Sequence, residues 1–125
     1  MGTHSIHWGR VLLGGFLAEL VLFVAVIPMR VAGSSEAAVT VLAVVGSFVV
    51  FVPVAWWLCR SLASPVLHGA LMGAAAAAIY LLLQLGTALF VADAPAVPLM
   101  YYVAHALKLA GGATGGWLAQ RRKLA

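Results

Sequence analysis

Charged side chains are scarce in this sequence of 125 residues, where they make up 8% of the total against 65% for hydrophobic residues. A soluble domain typically carries roughly 25% charged residues, so this composition excludes an ordinary soluble globular domain. Acidic residues are especially few, with three Asp and Glu against seven Lys and Arg. The mean hydropathy of +1.11 agrees with this pattern. We therefore expect an integral membrane protein.

Cysteine occurs once, at Cys59. A single thiol excludes an intramolecular disulfide, a Cys-x-x-Cys pair and a thiolate metal site within the chain. The sequence also lacks a His-Glu-x-x-His motif and a glycine-rich phosphate loop, and His68 and His105 lie at depths too different for two axial ligands of one haem. We expect no enzyme activity, no catalytic residue, no metal site and no cofactor.

Long apolar runs are what the sequence has in abundance. A bilayer core of about 30 Å needs about 20 apolar residues per helix, and four runs of that kind occur between short polar breaks. The sequence therefore predicts an all-α integral membrane protein, a single domain over residues 1–125. Its four transmembrane helices are expected at residues 11–29, 37–59, 66–91 and 99–119.

The distribution of basic residues predicts the orientation. Short loops rich in Lys and Arg stay in the cytoplasm. Arg10, Arg60 and the basic residues 121–123 share one side of the predicted bundle, whereas Arg30 is the basic residue near the other side. We expect both termini in the cytoplasm, in a multi-pass protein of a bacterial cytoplasmic membrane. The basic tail indicates contact with anionic lipid of the bilayer and no nucleic-acid binding.

Polar residues inside the apolar runs predict a buried cluster. Counting 1.5 Å per residue places Glu19 roughly 12 Å and Lys108 roughly 16 Å from the cytoplasmic face. A charge facing lipid costs at least about 3 kcal/mol at the bilayer centre, so we expect these two side chains to face inward and pair. We expect His105, Tyr80 or Ser47 to satisfy the remaining oxygens and protons of this pair. The predicted buried polar cluster is Glu19, Lys108, His105, Tyr80, Gln84 and Ser47.

Glycines predict where helices approach closely. Small residues four positions apart allow backbone contact between membrane helices, and such spacings occur in the third and fourth runs. The predicted packing residues are Gly69, Gly73, Gly111, Gly112, Gly115 and Gly116. The similarity of "GRVLLGGFLAE" in the first run to "HGALMGAAAAA" in the third raises the further interpretation of two duplicated hairpins.

Two functions agree with these features. In one, the protein is a scaffold or accessory subunit of a membrane complex, and the polar cluster only holds the bundle together. In the alternative, it is an oligomeric channel or transporter, and the cluster lines a route for a proton, an ion or a small solute. A transport function favours a homo-oligomer, since four helices hardly enclose an aqueous pore alone, whereas an accessory function favours association with other membrane subunits.

Overall fold

The computed structural model describes residues 5–125, and the regular secondary structure in this part of the chain consists of helices, without strands. Its helices are α1 Trp8–Val31, α2 Glu36–Val49, α3 Phe51–Cys59, α4 Pro65–Phe90 and α5 Leu99–Leu124. The predicted all-helical architecture is therefore confirmed for these residues. The observed helices extend the predicted runs by one to a few residues at most ends, and α5 continues through the basic tail.

A proline divides the second predicted helix. Pro53 has no N–H to donate to the carbonyl of Val49, and its ring crowds that carbonyl, so the regular hydrogen-bond ladder is interrupted there. The chain nevertheless keeps helical dihedral angles at Val50, which joins α2 to α3. At the other end, the Ser35 hydroxyl accepts a hydrogen bond from the backbone N–H of Ala38 at 3.2 Å and caps α2. The two helices together act as one span, Glu36–Cys59.

Three segments of the described chain are long and apolar enough to cross a membrane, namely Trp8–Val31, Glu36–Cys59 and Pro65–Phe90. A third or less of the most apolar stretch of each is buried inside the bundle. Because such an apolar surface is stable in lipid rather than in water, this is a membrane protein. Helix α5 is long enough but is not among these spans, since Lys108, His105 and its basic end lower its hydropathy. The fourth predicted span stays a prediction.

The helices form a bundle in which α1 and α5 are diagonal to each other. Helix α4 packs against both of them, and α2 and α3 pack against both from the other side. Within the described residues, α1 and α5 themselves have no backbone contact. The α4–α5 interface is the most extensive, whereas α1 and α2 are in looser contact, so the two proposed hairpins differ in their packing.

Glycines explain the closeness of α5 to its neighbours. A Cβ added at Gly112 would overlap the carbonyl oxygen of Gly69, and a Cβ at Gly69 would overlap that of Gly112. On an adjacent face, a Cβ at Gly111 would lie 2.7 Å from the Phe48 carbonyl oxygen. Each of the six predicted packing glycines meets the backbone of another helix in this way, and Gly73, Gly115 and Gly116 complete the set. The two overlapping glycine spacings in α5 thus contact two different partners.

The bundle has two chemically distinct ends. At the proximal end, which holds residues 5–10, 60–64 and 120–125, Arg10 donates a hydrogen bond to the Leu58 carbonyl at 3.2 Å and Lys123 donates one to Leu62 at 2.5 Å. The Arg121 guanidinium lies 4.3 Å from the centre of the Trp117 ring. The two hydrogen bonds satisfy one carbonyl in the last turn of α3 and one in the connection that follows it. At the distal end, residues 32–35 and 91–98 connect the helices.

Candidate functional site

A buried ion pair joins the two diagonal helices. The Lys108 Nζ of α5 donates a hydrogen bond to Glu19 Oε1 of α1, and their side chains are only 4% and 8% exposed. Because the backbones of these helices do not touch, the two long side chains bridge the centre of the bundle. The sequence predicts this pair, because the two residues lie at similar depths and a lone charge in lipid is costly. The structure contains the pair.

The other predicted members of the cluster surround the ion pair without bonding to Glu19. The Ser47 hydroxyl donates to the Ala43 carbonyl of its own helix at 2.6 Å, and the Gln84 amide donates to the Tyr80 hydroxyl at 2.9 Å. The predicted hydrogen bonds from Ser47, Tyr80 or His105 to Glu19 do not occur within the described residues. Ser47 and Gln84 instead satisfy local partners at spacings of four on their own helices.

Tyr80 is the aromatic centre of the site. Its ring lies 5.3 Å from the Lys108 ammonium, measured to the ring centroid, which is within the range of a cation–π interaction. The His105 ring lies on it with a centroid separation of 4.7 Å, and the Tyr101 ring stacks on it at 6.1 Å. One ring on α4 therefore positions three side chains of α5.

His105 has polar atoms that the protein leaves unsatisfied. The residue is 7% exposed, and neither Nδ1 nor Nε2 has a hydrogen-bond partner among the described residues. Most buried polar atoms in native proteins are hydrogen-bonded, so an imidazole without partners is unusual. A neutral imidazole presents one N–H donor and one acceptor nitrogen, and here both are buried without a partner among the described residues.

These side chains line a cavity of about 270 Å³ between the helices. The ion pair lies on its wall together with the polar groups described above, while Leu22, Phe23, Val26, Ala43 and Ala104 supply apolar surface. Pockets that bind small molecules in proteins usually combine an apolar wall with a few convergent polar groups. The cavity has that composition, and all six residues of the predicted polar cluster line it.

A second cavity of about 360 Å³ adjoins the first at the distal end. The two cavities share Arg30, Tyr80, Gln84 and Tyr101, and the second also contacts residues 95–98 of the distal connection. Toward the proximal end, the interior is filled by Phe51 and Met72, each 1% exposed. The polar interior therefore opens toward one end of the bundle.

Arg30 belongs to the site, although the sequence interpretation used it only for orientation. Its guanidinium donates to Glu36 Oε1 at 2.9 Å and to the Tyr101 hydroxyl at 3.2 Å, at the boundary of the two cavities. Arg30 follows Glu19 by eleven residues, which is three helical turns, so both lie on one face of α1. That spacing is the signal in the sequence that identifies Arg30 as a site residue.

The described residues contain no group of three or more His, Cys, Asp or Glu side chains arranged to hold a metal ion.

His68 of α4, at the proximal end, is buried, and its Nε2 accepts a hydrogen bond from the His7 backbone N–H at 3.1 Å. Its Nδ1 donates to the Ser64 carbonyl at 2.7 Å. His68 thus joins α4 to the segment before α1.

No family model, curated protein or solved structure matches this chain.

Proposed function

We propose that this protein is a small carrier that binds a polar solute or ion inside the membrane. The observation that carries the proposal is the interior cavity, which ends at the buried Glu19–Lys108 ion pair and adjoins a second cavity at the distal end. An ion pair that only held helices together would be stabilised by dry, close packing. Here the pair instead lies on the wall of a space large enough for a small molecule.

The proposal includes a four-span topology with both termini in the cytoplasm. Helix α5 crosses the membrane in this arrangement because it packs along α3 and α4, and its buried ammonium is neutralised by Glu19. The basic residues of the proximal end favour the cytoplasmic side. The distal cavity then opens on the opposite side of what we propose to be a bacterial cytoplasmic membrane.

A carrier fits the geometry better than an open channel. The proximal half of the interior is closed by Phe51 and Met72, and by the glycine contacts between α4 and α5. A solute entering at the distal end therefore meets a closed wall, and its release requires the helices to rearrange. We propose that the carrier works as a homo-oligomer or beside other membrane subunits, since four helices hardly enclose an aqueous path alone.

Solute exchange in liposomes tests the proposal with a plugged variant. Ala43 lines the cavity, whereas Ala38 lies exposed on the same helix. The substitution Ala43→Phe places a ring in the cavity, and Ala38→Phe adds the same ring on the outer surface. Stopped-flow light scattering would follow volume changes with a panel containing acetate, methylammonium, glycine and glycerol.

We expect at least one solute to enter wild-type proteoliposomes faster than empty liposomes. Ala43→Phe should remove that increase and Ala38→Phe should keep it. Rates equal to those of empty liposomes for every solute, in the presence of correctly folded protein, would contradict the carrier function. That result would favour the scaffold or accessory-subunit interpretation, in which the polar cluster is structural.

A further inference from the structure

We infer that the ligand of the interior cavity is a small organic monoanion, such as a short-chain carboxylate. The inference rests on the proposed function, because it names the substrate class of the same site. Four properties of the cavity support it, namely its charge, its free hydrogen-bond donors, the unpartnered histidine and its apolar wall.

The charge of the cavity wall is positive. Arg30 and Lys108 contribute two cations, and Glu19 contributes one carboxylate. Glu36, which pairs with Arg30, lies outside this cavity with a side chain that is 80% exposed. Arg30 is itself 46% exposed, so water screens this outer pair far more than it screens Lys108 and Glu19. The wall carries one cation more than carboxylates, which favours a ligand with a single negative charge.

Several hydrogen-bond donors along the wall are available to a ligand. The Tyr80 hydroxyl accepts a hydrogen bond from Gln84, and the Tyr101 hydroxyl accepts one from Arg30. Each phenolic oxygen thus uses its acceptor capacity and keeps its own proton available for a ligand. Lys108 carries further N–H groups beyond the one that Glu19 accepts. A carboxylate, which only accepts hydrogen bonds, complements such a wall.

His105 supplies a buried donor to the wall. Its ring nitrogens have no partner among the described residues, and the ring is held in place by Tyr80 at 4.7 Å. The N–H of a neutral imidazole can donate to a ligand oxygen. An anion that spans His105 and Lys108 would satisfy this donor, which has no partner among residues 5–125.

The apolar part of the wall selects an organic anion over an inorganic one. Leu22, Phe23 and Val26 of α1 face Ala43 and Ala104 across the cavity. A hydrated inorganic ion gains nothing from such a surface, whereas a short hydrocarbon chain loses unfavourable contact with water. The volume of about 270 Å³ admits a molecule of a few heavy atoms.

Charge-matched thiol reagents test the inference directly. The native thiol is replaced by Cys59→Ala, and a reporter thiol is placed on the cavity wall by Ser47→Cys. The protein in nanodiscs is treated with sulfonatoethyl methanethiosulfonate, an anion, or with trimethylammonioethyl methanethiosulfonate, a cation of similar size. The variant Ala92→Cys, exposed at the distal end, normalises the intrinsic rates of the two reagents.

We expect the anionic reagent to modify the cavity thiol faster by about tenfold after normalisation, as a focused positive field predicts. Propionate should slow this reaction, whereas propylammonium should leave it unchanged. The substitution Arg30→Gln should remove most of the preference, and Arg60→Gln at the proximal end should keep it.

Two results would overturn the inference in distinguishable ways. Equal rates, a preference for the cation, or protection by propylammonium alone would show that the cavity binds another class of ligand, and the carrier function would stand. If neither reagent reached the cavity thiol while Ala92→Cys reacted normally, the cavity would be closed to solutes. The proposed function would then fail together with the inference.

Discussion

Breaking the buried ion pair one partner at a time should destabilise the protein, and removing both partners together should restore much of the stability. The substitution Glu19→Leu leaves an ammonium without a counter-ion in the bundle centre, and Lys108→Met leaves a carboxylate there. Their side chains are only 8% and 4% exposed. Removal of one partner from a buried pair typically costs about 3–5 kcal/mol.

The cavity decides where in that range the loss should fall. Both charged groups lie on the cavity wall, so solvent within the cavity reduces the cost of a lone charge. We therefore expect each single substitution to lower the free energy of unfolding by about 3 kcal/mol, the lower end of the range. The double variant leaves no lone charge, and we expect it to lose less than either single variant.

Unfolding in mixed micelles with increasing dodecyl sulfate, followed by circular dichroism, measures these free energies. The chain provides a matched control in Glu36→Leu, which breaks the exposed pair with Arg30, whose side chains are 80% and 46% exposed. An exposed pair contributes about 0–1 kcal/mol, so this control should remain close to wild type. If both single variants were as stable as the control, or if the double variant lost the sum of both single losses, the buried pairing would be wrong.

Three further predictions concern packing, the proximal end and topology. Gly112→Leu should lower stability by about 3 kcal/mol or more, because its side chain would overlap the backbone of α4. The control Gly86→Leu on α4, where a Cβ meets open space, should leave the melting temperature in detergent unchanged. Equal melting temperatures for the two variants would refute the close contact. His68→Phe should lower the free energy of unfolding by about 1–3 kcal/mol, since it leaves the backbone N–H of His7 without its acceptor. An unfolding curve identical to that of wild type would show that this contact contributes nothing. Reporter fusions at residues 94 and 125 should report opposite sides of the membrane, with residue 125 in the cytoplasm. If the C-terminus lay outside, the proposed orientation of the cavity would be reversed.

Hydropathy was sufficient to predict three of the spans, namely α1, α2 together with α3, and α4, because each is an apolar run between polar breaks. The run predicted at residues 37–59 is observed as the span Glu36–Cys59. It is interrupted at Val50, just before Pro53. The Glu19–Lys108 pairing was also predictable, since the cost of a lone charge in lipid forces both groups inward and their depths match.

The rotation of each helix about its axis was not predictable, and the remaining features of the site depend on it. The glycines of α5 contact both α4 and the α2–α3 span, a division that spacing alone leaves open. Helix rotation also determines that His105 has no hydrogen-bond partner in the part of the chain that the structure describes, and that the Ser47 hydroxyl donates to the Ala43 carbonyl. Arg30 was not predicted as a site residue, because it was used only to infer the orientation in the membrane. It nevertheless lies on the same face of α1 as Glu19.

The contact between Lys108 and Glu19 in a lipid bilayer is the central claim, and solid-state NMR measures it directly. The chain has two lysines and two glutamates, so the variant Lys123→Arg with Glu36→Gln leaves one of each. With the lysine labelled by ¹⁵N at Nζ and the glutamate by ¹³C at Cδ, rotational-echo dephasing reports the distance between these two atoms.

Strong dephasing, corresponding to a separation of about 4 Å or less as in an ion pair, is the result that the structure predicts. A cross-peak from water protons to the lysine ammonium should accompany it, because the pair lies on the wall of the cavity. Absence of dephasing in folded, bilayer-embedded protein would contradict the ion pair, and with it the closed end of the proposed binding cavity.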